Sequence, residues 1–186
     1  MQQKTSSRSR IHYRGRQSTS KDPYAAALRL LSQRSFSVEG LLDTLRRKFP
    51  GNKNLSGVIE RLQKLDFLDD RRFAENRASF LAQNRGWGPL RIRRELKVGK
   101  VPEKWIALAV GRAFQNTNER ELVGKFLAKK LDGISFPLTP QKFASLSRSL
   151  VRRGFSTDVI MDSIRSYRRG GFFTEQDVLT EVWDEE

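Results

Sequence analysis

Cysteine is absent from this 186-residue chain, and histidine occurs only once, at His12. Without thiols the chain forms no disulfide and offers no thiolate to a metal or a substrate. A single histidine excludes metal sites built on paired histidines and makes histidine-dependent acid–base catalysis a poor hypothesis. Phosphate-binding Gly-x-x-x-x-Gly-Lys-Ser/Thr loops and Gly-x-Ser-x-Gly elbows are also missing. The sequence therefore predicts a protein with no enzymatic activity, no metal, no cofactor and no small-molecule substrate.

Long apolar runs are missing as well. The longest apolar clusters, such as residues 25–28, are far too short to span a bilayer. The first seven residues contain no apolar segment of the kind found in secretory signals. Together with the absence of cysteine, these features predict a cytoplasmic protein that does not associate with membranes.

Negative charge is in short supply, and positive charge is abundant. The chain has 36 Lys and Arg residues against 21 Asp and Glu, giving a formal net charge of +15. Such a balance favours a polyanionic partner, and the candidates are nucleic acid, a nucleoprotein filament and an anionic membrane.

The chain between Pro23 and about Tyr167 has helical periodicity and no strand-like alternation. Helices follow one another in threes, and the middle helix of each group ends near a corresponding leucine at Leu45, Leu96 and Leu150, a repeat of about fifty residues. We expect an all-α fold in which three tandem three-helix repeats stack into an elongated, curved body. The predicted domains are a basic disordered tail at 1–22, three-helix repeats at 23–68, 69–117 and 118–168, and an acidic C-terminal tail at 169–186.

Aromatic residues fall mostly at helix core or helix-end positions. The phenylalanines, including Phe67 and Phe80, are therefore predicted to pack within or between the repeats. Trp87 differs because it lies in a turn between two glycines, and both local packing and contact with a base or partner remain open for it.

The most informative stretch runs from Leu68 to Leu96. Asp69 or Asp70 is expected to cap the helix that follows, since either carboxylate can accept hydrogen bonds from its free amides. The sequence Gly-Trp-Gly-Pro at 86–89 ends that helix and begins the next one.

The second of these helices carries most of the charge. Ile92 and Leu96 share one face, and about 100° per residue places the neighbouring cations on the opposite half of the cylinder. Those cations are Arg91, Arg93, Arg94 and Lys97. They form either a solvated helix face or a surface that meets phosphates or an acidic partner, and the strong positive charge of the chain favours the second interpretation.

The Asp-Asp-Arg-Arg-Phe-Ala segment at 69–74, the Gly-Trp-Gly-Pro turn at 86–89 and the Arg-Ile-Arg-Arg-Glu-Leu segment at 91–96 resemble the RecX family of recombination regulators. The resemblance spans roughly residues 23–168. It implies tandem three-helix repeats, no catalytic site and a partner that is the RecA recombinase filament on single-stranded DNA. Family members lie in the filament groove and suppress ATP hydrolysis, strand exchange and the co-protease function of RecA.

On this resemblance, the candidate partner-binding or DNA-binding residues form one set in each repeat. They are Arg46, Arg47 and Lys48 in the first, Arg85, Trp87, Arg91, Arg93, Arg94 and Lys97 in the second, and Arg148, Arg152 and Arg153 in the third. Gly40 departs from the family pattern, which has a helix-favouring Glu there, and is expected to weaken its helix by about 1 kcal/mol.

Two other functions compete with filament regulation. The charge and the basic tail fit a stand-alone, non-specific DNA-binding protein equally well, although no zinc ligands, RNA-binding aromatic signature or basic zipper are present. An interaction scaffold whose basicity is incidental is the third interpretation. Nothing in the sequence indicates an obligate oligomer, and a monomer is expected.

Overall fold

The computed structural model describes residues 22–115, 117–131 and 138–169, with side chains described as far as residue 166. Within these residues the chain forms nine α-helices and no strand. The helices are α1 Pro23–Gln33, α2 Val38–Lys48, α3 Leu55–Lys64, α4 Asp70–Arg85, α5 Pro89–Val98, α6 Glu103–Gln115, α7 Glu119–Leu131, α8 Pro140–Arg153 and α9 Thr157–Arg169. The predicted basic tail, apart from Asp22, and the acidic tail after Arg169 lie outside the described residues.

Each group of three consecutive helices surrounds its own hydrophobic cluster, and we refer to α1–α3, α4–α6 and α7–α9 as units 1, 2 and 3. The predicted leucines occupy equivalent places, because Leu45, Leu96 and Leu150 are all fully buried. Each also accepts a backbone hydrogen bond from just beyond its helix, from Phe49, Val101 and Phe155 respectively. The predicted all-α helical-repeat fold is confirmed, whereas the residue boundaries of the domains remain a prediction.

Helix starts and stops follow local chemistry. Asp22 accepts hydrogen bonds from the first amides of α1, and Asp69 does the same for α4. Gly86 ends α4 in the left-handed region at φ 58°, where a residue without a Cβ is favoured. Asp69 is therefore the cap of the helix that follows it, as the sequence predicts, and Asp70 has a different role.

The middle helices of the three units run head to tail. The N-terminus of α5 meets the C-terminus of α8, and the N-terminus of α2 meets the C-terminus of α5. We call the contact between units 1 and 2 the first junction and the contact between units 2 and 3 the second junction.

Two phenylalanines contradict the prediction of core packing. Phe67 is 54% exposed and Phe80 is 46% exposed. Phe67 lies in the turn after α3, and Phe80 lies on α4 away from the stripe formed by Ala74, Ala78 and Leu81. Because small alanines let α4 approach α6 closely, the contact between these two helices is filled without Phe80. Both phenylalanines instead line open space between units 1 and 2.

Candidate partner-binding surface

The second junction is built from backbone atoms. The Gly88 amide donates to the Arg153 carbonyl at 2.8 Å, and the Leu90 amide donates to the Gly154 carbonyl at 3.1 Å. The first amides of a helix and its last carbonyls have no partner within the helix. Gly88 has no side chain with which to cap α5, so the end of α8 supplies acceptors for the start of α5. Each helix thereby satisfies groups that the other leaves free.

Glycine is required on both sides of this contact. A Cβ on Gly88 would overlap the Gly154 carbonyl, and a Cβ on Gly154 would overlap the backbone of Arg91. Gly154 also has φ +89°, a conformation that residues with side chains rarely adopt. The two glycines therefore allow α5 and α8 to approach until their backbones touch.

Two predicted site arginines reinforce the second junction. Arg153 Nη1 donates to the Arg85 carbonyl at 3.1 Å, and Arg91 Nη1 donates to the Arg152 carbonyl at 3.2 Å. The Arg91 guanidinium also lies 3.8 Å from the centroid of the Trp87 ring, and Trp87 packs against the core of unit 2. Arg91, Arg153 and Trp87 therefore have structural contacts within and between the units, and local packing is the role that the contacts of Trp87 favour.

The four cations of α5, which the sequence places on the half of the helix opposite Ile92 and Leu96, are not equivalent in the structure. Arg91 is half-buried at the second junction, and Arg93 forms an ion pair with Glu103 at 2.6 Å. Arg94 and Lys97 are exposed and have no ion pair or hydrogen bond from their side chains within the described residues. Arg94 lies opposite the buried face and Arg93 at its edge. Arg91 is as far from that face as Lys97 and is engaged because the end of α8 lies beside the start of α5.

In units 1 and 3, too, the predicted site cations divide into those with structural contacts and those that are exposed without a carboxylate partner among the described residues. Arg46 pairs with Glu39 at 2.9 Å and with Asp43 at 3.3 Å. Arg148 and Arg152 are exposed, and within the described residues their side chains donate only to atoms of their own helix. We use the name outward cations for the predicted site residues that are exposed and have no carboxylate partner among the described residues: Arg47, Lys48, Arg85, Arg94, Lys97, Arg148 and Arg152.

The first junction uses side chains where the second uses backbone. Ser37, the cap of α2, accepts from the Gly40 amide at 3.1 Å and donates to the Gly99 carbonyl at the end of α5. The Asp70 carboxylate accepts from the Val38 amide at 2.8 Å. The adjacent residues Asp69 and Asp70 thus cap helices in two different units. A Cβ on Gly40 would lie 2.7 Å from Ser37 Oγ, so close packing against Ser37 explains the glycine at this position of the helix.

The pKa values of two carboxylates at the first junction are shifted in opposite directions. A hydrogen bond from Lys100 of unit 2, supported by Arg46, lowers the pKa of Asp43 in unit 1. Burial raises the pKa of Asp70 above its ordinary value, although the Val38 amide acts in the opposite direction. Asp43 is therefore held in its charged form, whereas the position of Asp70 penalises its charge.

A groove of about 960 Å³ lies along the first junction. Its lining combines exposed apolar side chains, including Phe80 and the 76% exposed Val98, with the cations of both units. A neighbouring cavity of about 350 Å³ includes Phe67 and shares Phe36 and Phe73 with the groove. No local sequence pattern predicts this groove, because its walls come from helices far apart in the chain. The only available signal was the position of Phe80 off the alanine stripe of α4.

Two kinds of site are missing from the described part of the chain. No group of three or more His, Cys, Asp or Glu side chains there is arranged to hold a metal ion. Every helix found there is too short or too polar to cross a membrane.

Comparison with known proteins places this architecture. A family model described as RecX, second three-helix domain, matches residues 69–110. The regulatory protein RecX of Legionella pneumophila (strain Corby) is 30% identical over 138 residues, which cover 74% of this chain and 89% of the relative. This chain belongs to the RecX family. The regulatory protein RecX of Chlorobaculum tepidum is 29% identical over 140 residues, covering 75% and 84% of the two chains.

Solved RecX structures share the fold. The crystal structure of RecX from Lactobacillus salivarius matches with a TM-score of 0.70 at 23% identity and covers 79% of this chain and 95% of that one. A second crystal structure of a regulatory protein RecX matches with a TM-score of 0.67 at 19% identity, covering 77% and 71%. The match to the RecX second-domain model includes Asp69, Asp70 and the outward cations Arg85, Arg94 and Lys97.

Proposed function

We propose that this chain is a non-enzymatic regulator that binds the RecA filament on single-stranded DNA. Binding inhibits RecA ATP hydrolysis, strand exchange and co-protease activity, and so modulates recombination, DNA repair and the SOS response in the cytoplasm. Membership of the RecX family, whose members are named regulatory proteins, is the observation that carries this proposal.

The distribution of the outward cations supports it. They occur in all three units, and the two junctions fix the units end to end. A nucleoprotein filament is itself a repeating, polyanionic partner, so cations at fixed intervals can meet successive acidic or phosphate groups at the same time. Because the units are already ordered relative to one another, little further conformational freedom is lost on binding. Arg94 and Lys97 are the residues that we expect to contribute most within unit 2.

The direct test is the ATPase rate of RecA on single-stranded DNA, titrated with this protein at moderate salt. We expect inhibition at or below stoichiometric amounts of protein relative to RecA, and persistence of that inhibition when excess DNA is added. Loss of inhibition with excess DNA, or no inhibition at all, would overturn the proposal.

A stand-alone DNA-binding protein is the second candidate, because the same outward cations would suit bare phosphates. Binding to naked single strands should then weaken steeply with salt, with a slope of about −0.7 per phosphate contacted. A filament regulator should retain its effect on RecA at salt concentrations that abolish binding to naked DNA.

A further inference from the structure

The groove at the first junction has two properties that are rarely found together on a free surface. Its floor is apolar, with Phe80 and Val98 exposed to solvent. Its rim is basic, because five cations and only two carboxylates line it: Arg34, Arg46, Arg47, Arg77 and Lys100 against Asp43 and Glu95. Apolar surface rimmed by charge is typical of a binding site for another segment of protein. The occupant that suits it carries aromatic or aliphatic groups interleaved with carboxylates.

The chain contains one segment of that chemistry, at residues 172–186. It holds six carboxylates and no Lys or Arg, in a chain whose formal net charge is +15. Phe172 and Phe173 precede the acidic residues, and Trp183 lies between Glu181 and Asp184. We propose that the groove at the first junction binds this C-terminal segment of the same molecule, with its apolar side chains on the floor and its carboxylates against the rim.

The segment is long enough to reach. The path from Arg169 back along α9, through the turn to Gly154, and then along α5 to Val98 measures about 45 Å, taking 1.5 Å per helical residue and extended geometry in the turn. That path is an upper limit, since the straight distance between its ends is shorter. Residues 170–184 in extended form span about 50 Å. The acidic and aromatic end of the chain can therefore lie over Val98.

The groove also accounts for why the segment would dock here and not on the other outward cations. Seven charged side chains line it, five cations and two carboxylates. Among the described residues Arg47 has no carboxylate partner, and Arg34, which lies 4.3 Å from the centroid of the Phe36 ring, is paired with no carboxylate. These charges stand next to exposed apolar surface, so one ligand can use both. Docking would cover Arg47 and make the segment a competitor of acidic partners at unit 1.

The absence of cysteine makes a direct test possible. In the full-length chain, V98C/D184C places one thiol in the groove and one in the segment, and V151C/D184C is the control. Val151 is 54% exposed and lies on α8, in the unit from which the segment departs. A segment that does not dock should meet position 151 at least as often as position 98. We expect the V98C pair to form its intramolecular disulfide at least ten times faster than the V151C pair.

Equal rates, a faster V151C pair, or no disulfide at position 98 would overturn the proposal. Adding R47E to the V98C pair should slow disulfide formation several-fold, while R148E, which reverses an exposed arginine on α8, should leave the rate unchanged. Slowing by both variants to the same extent would show an effect of net charge alone and would also overturn it. The assay contains neither RecA nor DNA, so its outcome is separate from that of the proposed function.

Discussion

The two junctions do the same work with different chemistry. The second junction joins α8 to α5 through main-chain hydrogen bonds that require Gly88 and Gly154. The first joins α5 to α2 through the side chains of Ser37 and Asp70 and through the Lys100–Asp43 ion pair. Backbone contact brings the second pair of helices as close as possible. Side chains connect the first pair, and the groove lies along this junction.

The two junctions should therefore respond differently to solution conditions and to substitutions. A backbone junction carries no titrating group, so pH and salt should affect it little, but any added side chain disrupts it. A side-chain junction tolerates changes of size better and depends on the ionisation of its carboxylates. We therefore expect the boundary between units 1 and 2 to be the part of the molecule that conditions and ligands can alter.

The largest effect should come from a methyl group at the second junction. Gly154→Ala places a Cβ against the Arg91 backbone and forces a left-handed conformation, so we expect a loss of about 3 kcal/mol of unfolding free energy. Urea denaturation measures it. Gly111→Ala is the matched control, because a Cβ at Gly111 meets open space inside a helix, and it should stabilise the chain by about 0.5–1 kcal/mol. A loss below about 1 kcal/mol for Gly154→Ala would show that the junction can separate without cost.

A smaller effect is expected at Asp70 in the first junction, and it depends on pH. Asp70→Ala removes the acceptor of the Val38 amide and should cost about 2 kcal/mol at pH 7. Asp70→Asn keeps an acceptor oxygen and removes a charge that burial penalises. The folded-state pKa of Asp70 is raised above the ordinary value of 3.8, so the contribution of Asp70 to wild-type stability falls as pH rises from 3.8 through the folded-state value.

Asp70→Asn should therefore equal or exceed the wild type in stability at pH 7. Its advantage should shrink as pH falls through the raised folded-state pKa of Asp70 and should be lost below the ordinary value of 3.8, where the carboxyl is neutral in both states. Urea denaturation repeated between pH 3 and 7 measures the difference. If Asp70→Asn at pH 7 is as unstable as Asp70→Ala, the carboxylate charge is needed and the assignment is wrong.

The smallest stability effects should distinguish the cations of α5. Arg91→Ala loses the stacking on Trp87 and the hydrogen bond to the Arg152 carbonyl, and we expect a cost of about 1 kcal/mol. Arg94→Ala loses no side-chain contact recorded in the described residues and should stay within about 0.5 kcal/mol of the wild type. Thermal unfolding of the two variants side by side tests the division. Equal destabilisation would contradict it.

Local signals in the sequence predicted much of the fold. Asp69 lies where a helix cap is expected, and Gly86 lies where a helix should end, because both act on neighbouring residues. The buried leucines of the middle helices follow from periodicity alone. The partner of Asp70 could not be predicted, since Val38 is 32 residues away and belongs to another unit. A carboxylate next to a helix cap carries no local sign that it caps a second helix.

The sequence predicts which face of α5 carries the candidate site residues, but it does not predict the contacts that those residues make. Helical periodicity put Arg91, Arg93 and Arg94 outside the buried face of α5. It could not show that Arg93 pairs with Glu103 or that Arg91 reaches α8, because those contacts depend on how the helices pack. The positions of the phenylalanines along the helices predict packing within or between the repeats for Phe80. The buried face of α4 is formed by its alanine stripe instead, so Phe80 stays exposed and lines the groove.

The central claim is that the outward cations bind the filament while the junction arginines hold the units together. The measurement that tests it most directly compares inhibition of RecA ATPase by wild type, R94E/K97E and the control K53E/K64E, whose two lysines are exposed on unit 1 outside the predicted site. The two variants carry the same change in charge, and urea denaturation confirms folding. The account predicts at least a tenfold weaker inhibition by R94E/K97E, unchanged stability, and near wild-type inhibition by the control. Wild-type inhibition by R94E/K97E, or equal weakening by both variants, would contradict it.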